Sequence, residues 1–130
     1  TIDLADQYTL EKDLGKIVII TFWTSWCPDC AKDLPKKEQL FQSIDPDKVK
    51  MITINVSGRE RNRDDGLAYY NKFLKQETLA DCGKEVYDLY HCQGVPTTVI
   101  IDSSGNIFKQ FGDSANFLDI VKAIGVLINN

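Results

Sequence analysis

No apolar stretch in this 130-residue chain approaches the roughly 18 residues that a membrane span requires. The longest, Ile17 to Trp23, is strand-sized, so no membrane contact is expected from this segment. Basic residues are outnumbered: 15 Lys and Arg against 19 Asp and Glu leave a net charge of −4, which argues against nucleic acid or an anionic membrane as partner. Histidine occurs once, at His91, and cysteine four times, so a metal centre has few ligands to draw on. Internal repeats, low-complexity tracts and a recognisable export signal are also lacking. The chain nonetheless opens on Thr1 rather than Met. That points to a processed or trimmed N-terminus and leaves an upstream signal or anchor open.

What is present is the composition of one soluble globular domain over residues 1–130, long enough for a single core. Four cysteines in such a length neither demand nor exclude an oxidising compartment.

Tyr8-Thr9-Leu10 hints at an early short strand. Lys16 to Trp23 is a near-continuous apolar run rich in β-branched residues, as in a strand buried on both faces. From Cys27 the pattern turns helical, with Leu34, Lys37 or Glu38, Phe41 and Ile44 on the core face and Pro35 expected to kink it. Val49 to Val56 reads as a second strand, and Ser57 to Gly66 as a polar loop or insertion. Arg59, Arg61 and Arg63 in that loop are expected to be a solvated face rather than a binding patch. Leu67, Tyr70, Phe73 and Leu74 give a helix with an apolar stripe, and Lys84 to Tyr90 a short helix. Thr97 to Asp102 is a third strand, joined through Ser103-Ser104-Gly105-Asn106 to a fourth, Ile107 to Phe111. Ser114 is the expected cap of a last helix with Phe117, Ile120 or Val121, Ile124 and Ile128 inward. The order β-α-β-α-(α)-β-β-α predicts a mostly parallel sheet with helices on both faces and a closing antiparallel hairpin.

Trp26-Cys27-Pro28-Asp29-Cys30 directly follows the first strand. Two thiols two residues apart close a disulfide only if the backbone curls, and a strand turning into a helix supplies that curl. Cys27 then falls at the exposed helix N-terminus, where backbone N–H groups and the helix dipole favour the thiolate. Pro28 suits the first helical position, whose N–H has no partner to lose. The pair reads as a redox-active dithiol. Half of a zinc site would need a second ligand pair, and a buried inert disulfide would not need the helix start.

With the strand-to-CxxC junction, the segment Gly94-Val95-Pro96-Thr97-Thr98 before the third strand resembles the thioredoxin fold. Phe22 to Cys30 is similar to the FW-x-x-WCxxC opening of the extracytoplasmic ResA/TlpA-like thiol–disulfide oxidoreductases. Asp33-Leu34-Pro35 resembles their acidic-x-Pro element, Val95-Pro96-Thr97-Thr98 their cis-proline loop, and Ile101-Asp102 with Gly105 their strand-and-turn ending. The resemblance covers nearly the whole chain. It implies a cis Val95–Pro96 bond, which the residues alone would leave as an ordinary strand-start proline. It also implies Cys27 as nucleophile, Cys30 as resolving thiol, and Asp33 as proton acceptor for the buried cysteine, with a solvated first-turn carboxylate as the alternative reading of Asp33. Trp26, Pro28, Val95 and Pro96 become substrate-binding residues, and Trp23 core. Where cytosolic thioredoxins carry a buried aspartate in the strand before the motif, this chain has Thr21.

No cofactor beyond the Cys27–Cys30 disulfide is implied. The expected partners are a disulfide-containing client and an upstream electron-donor protein, met by a monomer outside the cytoplasm, with a cytoplasmic site as the alternative. Within the resembling family the clients belong to cytochrome c biogenesis, spore-envelope assembly or periplasmic thiol repair. Asp29 opposes the helix dipole at Cys27, so a moderately lowered pKa and a reductant rather than an oxidase are expected.

Cys82 and Cys92 stand outside the resemblance. Ten fully helical steps would separate them by about 15 Å, too far for a disulfide. Free, mostly buried thiols are favoured, with a structural disulfide or an auxiliary redox or metal role left open. Two rival functions remain: a thiol peroxidase on the same fold, disfavoured by the absence of a Thr-x-x-Cys element, and a metal-handling module using Cys27, Cys30 and His91.

Overall fold

The computed structural model describes residues 15–62, 64–81 and 83–129. The short strand expected at Tyr8 to Leu10 lies outside them. Five strands form one mixed sheet in the order β3-β2-β1-β4-β5: β1 (Ile17–Trp23), β2 (Val49–Asn55), β3 (Glu77–Ala80), β4 (Thr97–Ile101) and β5 (Ile107–Phe111). The helices are α1 (Pro28–Ser43), α2 (Asp65–Phe73), α3 (Glu85–Leu89) and α4 (Phe117–Ile128).

β1 is central, and each of its seven residues is buried. It pairs in parallel with β2, and β2 with β3. On its other edge β1 takes β4 antiparallel, and β4 carries β5 as the expected hairpin. Alternation along β1 sorts its side chains onto two faces. Val18, Ile20 and Phe22 pack with Tyr87 of α3 and with Tyr69 and Tyr70 of α2. Ile17 and Ile19 pack with Ile120, Ala123 and Ile124 of α4 and with Leu40 and Phe41 of α1. The result is the thioredoxin fold that the sequence led us to expect.

Several local expectations are corrected. β3 was not foreseen; its four residues, Glu-Thr-Leu-Ala, carry little strand signal of their own and are ordered by pairing with β2. Asn116, not Ser114, caps α4, its side chain accepting the Leu118 N–H at 2.8 Å. Ile128 is exposed and Ala123 takes its place on the inner face. On the α2 stripe Leu74 is buried and Tyr70 packs against the core as expected, with Tyr69 beside it, but the other two residues do not. Leu67 and Phe73 are exposed, while Gly66 is buried so closely against Asn55 that a Cβ there would run into its side chain. Pro35 lies within an unbroken α1.

Candidate active site

Cys27 ends the turn after β1 as the N-cap of α1, with Pro28 behind it in the first turn. Its sulfur accepts the Cys30 N–H at 3.1 Å and donates to the Val95 carbonyl at 3.3 Å. The two bonds link the helix start to the loop before β4, whose Val95–Pro96 peptide is cis. The structure therefore brings Cys27, Cys30, Val95 and Pro96 together. Cys27 is only 5% exposed, contrary to the expected exposed position, because the Val95 loop closes over it.

Cys30, one turn along α1, is buried. Its thiol is pushed far above the ordinary cysteine range, first by burial and then by the hydrogen bond with Cys27 and the negative charges of Cys27 and Asp33. A backbone hydrogen bond from Thr24 opposes these effects. A thiol so held loses its proton only to a nearby acceptor.

Behind the cysteines lies an arrangement the sequence did not disclose. Lys37 is 0% exposed. Its ammonium meets Asp33 at 2.8 Å, Thr98 Oγ1 at 2.8 Å and Thr21 Oγ1 at 3.1 Å. Thr21 and Thr98 are register partners on β1 and β4, so one lysine ties α1 to two strands of the sheet. Thr21, the departure from the thioredoxin pattern, thus lies under a buried cation. Burial pulls the Lys37 pKa below its ordinary value, and the Asp33 carboxylate opposes that, through both its charge and its hydrogen bond. Asp33 is not a solvated carboxylate: its side chain is 15% exposed and ion-paired. The available signal was a lysine on the apolar stripe four residues after an aspartate. Its neighbour Glu38 is buried as well, accepting the backbone N–H groups of Lys75 and Gln76 ahead of β3.

In front, Trp26 is 38% exposed, whereas Trp23 is wholly buried with its indole N–H on Thr53. The Trp26 indole donates to the Arg59 carbonyl at 2.9 Å. Glu60 accepts from Ser25 N (2.8 Å), Ser25 Oγ (2.6 Å) and Asn55 Nδ2 (2.7 Å). The Ser57–Arg59 3₁₀ turn and the residues after it are therefore bound to the motif.

Cys82 lies outside the described residues, and Cys92 is a half-buried free thiol whose pKa burial pushes up to about 11. His91 has a positive φ of 56° and ends α3 in a Schellman turn, with Cys92 N–H on Tyr87 O (3.1 Å) and His91 N–H on Asp88 O (3.0 Å). Among the described residues no group of three metal-ligating side chains comes together, so Cys27, Cys30 and His91 are not gathered into one site.

A thioredoxin-like family model matches residues 15–107. Sporulation thiol-disulfide oxidoreductase A of Bacillus subtilis is 32% identical over 100 residues, covering 73% of this chain and 58% of that protein. Thiol-disulfide oxidoreductase ResA of Halalkalibacterium halodurans is 30% identical over 95 residues, covering 73% and 53%. The chain thus spans about half the length of the curated relatives it matches. Among solved structures, the exposed lipoprotein thioredoxin Etrx1 of Streptococcus pneumoniae superposes with a TM-score of 0.80 at 25% identity, over 92% of this chain and 91% of that one.

Proposed function

The chain belongs to the thioredoxin-like family, and from that premise we propose that it is a thiol–disulfide oxidoreductase that reduces disulfides in client proteins outside the cytoplasm. The observation that carries this reading is the Cys27 sulfur, seated at a helix N-terminus between the Cys30 N–H and the Val95 carbonyl of the cis-proline loop.

In this scheme the Cys27 thiolate attacks one sulfur of the client's disulfide and expels the other as a thiolate. Cys30 gives its proton to Asp33 and attacks the Cys27 sulfur. The Cys27–Cys30 disulfide forms, the client leaves as a second thiolate, and two electrons have passed to it. An external dithiol protein restores the pair. Asp33 suits the acceptor role because its charge is felt at the Cys30 thiol. Lys37 acts as a positioning residue: its ammonium fixes the carboxylate and compensates the negative charge that arrives when Cys30 ionises. Exposed Trp26 and Pro28 and the Val95–Pro96 loop would receive the client, an extended segment pairing with the Val95–Pro96 backbone.

A dithiothreitol redox titration with alkylation and mass readout tests the reading. The expected result is a two-thiol step on Cys27 and Cys30 at or below about −250 mV; a step near about −120 mV would make the protein an oxidase. A Cys30→Ser variant should hold clients as mixed disulfides on Cys27, and capture of none under non-reducing conditions would sink the scheme.

A further inference from the structure

The loop after β2 was expected to be solvated, yet the structure ties it to the reactive motif. Glu60 spends its carboxylate on three hydrogen bonds to Ser25 and Asn55, which leaves the neighbouring cations uncompensated. Arg61 lies over the exposed Trp26 ring at 5.9 Å. Arg59 lies over the Tyr87 ring at 5.4 Å and donates through Nη1 to the Tyr87 hydroxyl at 2.7 Å. Among the described residues neither guanidinium has an ion-pair partner; the salt bridges there are Lys37–Asp33, Lys50–Glu77 and Lys84–Asp88. Both arginines are exposed, and aromatic faces hold each within cation–π range.

Two features make this rim more than scattered surface charge. The first is preorganisation. A guanidinium already stacked on a ring loses little further freedom on binding, and its flat fork matches a carboxylate in two-point geometry. The second is contrast. The chain as a whole carries −4, so net charge offers an acidic client no general attraction, whereas Arg59 and Arg61 offer a local one beside Trp26. A local attraction set against a net repulsion orients the encounter as well as strengthening it.

We propose that Arg59 and Arg61 form a client-docking rim that selects extended protein segments with carboxylate side chains flanking their disulfide. The proposal rests on the redox reading above. In it the client's backbone lies along the Val95–Pro96 loop while its Asp or Glu side chains reach the two guanidiniums.

The test uses the protein with three synthetic peptides, each holding one disulfide flanked by Glu, Gln or Lys, at low salt and in 0.5 M sodium chloride. The expected result is a kcat/KM about tenfold higher for the Glu-flanked than the Lys-flanked peptide at low salt, carried by KM, with Gln between them. High salt should compress the difference. In Arg59→Gln/Arg61→Gln it should fall to about twofold or less. Equal rates for the three peptides would overturn the proposal, as would a preference undiminished in the double variant. Reduction of none of the peptides would overturn the redox reading, and this proposal with it.

Discussion

Behind the dithiol, Lys37 is sealed from solvent and its ammonium is matched by a carboxylate and two hydroxyls. In front of it, Arg59 and Arg61 stand in solvent with aromatic rings beneath them and, among the described residues, no carboxylate in ion-pair range. The same kind of charge thus sits in two dielectric settings, and the settings assign different work. A buried cation acts strongly over a short distance on whatever ionises beside it, here Cys30, and is indifferent to salt. An exposed one barely affects the thiols' energetics but is available to a partner, and salt weakens it. The back of the site is suited to tuning the chemistry and the front to choosing what reaches it.

Removing one charge at the back should have the largest effect. Asp33→Asn strands the Lys37 ammonium, which has no route to water. We expect a loss of about 3–5 kcal/mol in denaturant unfolding of the reduced protein. The ceiling is about 5 kcal/mol, the cost of neutralising a lysine at pH 7. Lys37→Met should cost less, about 2 kcal/mol, because Asp33 keeps 15% of its side-chain surface exposed and can hydrate. The double variant should return to within about 1 kcal/mol of wild type; strictly additive losses would mean that the two charges do not interact.

At the front, Glu60→Gln breaks the carboxylate that joins the loop to Ser25 and Asn55. Its stability cost should be smaller, about 1–2 kcal/mol. Faster hydrogen exchange at the Ser25 amide should accompany it, and unchanged exchange would show that the loop is held by other contacts.

Alkaline titration separates the regions most finely. Lys37 has a folded pKa below its unfolded value of 10.5, so the unfolded chain binds more protons in the window between them. Its contribution makes stability rise with pH there, and Lys37→Met should remove that rise. Cys92 works in the opposite sense. Its pKa is raised from 9.0 to about 11, so its contribution is intact below pH 9 and lost as pH climbs toward 11. Cys92→Ala should flatten that loss, the smallest of these effects.

The placing of Cys27 and Cys30 at a helix start was legible because it is local. The spacing of the cysteines, Pro28 behind Cys27 and the apolar run before them fix a strand, a turn and a helix start within about 15 residues, with no help from distant segments. The same holds for β1, β2 and β4, whose runs of buried residues announce themselves, and for β5, which the Ser103–Asn106 turn ties to β4. β3 was missed because four residues at a sheet edge gain their order from β2 rather than from their own propensities.

The sequence by itself thus determined the dithiol, the strands that frame it and the helix that presents it, since each depends on neighbours in the chain. Only the tertiary structure decided the charges around it. Thr21, Asp33, Lys37 and Thr98 span three elements, and Ser25, Glu60 and Tyr87 three further segments. Whether a lysine on a helix is solvated or sealed, and whether an arginine in a polar loop waves free or lies over an aromatic ring, depends on what the fold packs against it. A one-dimensional pattern does not contain that, because the energy of a charge is set by the dielectric and partners around it rather than by its place in the chain.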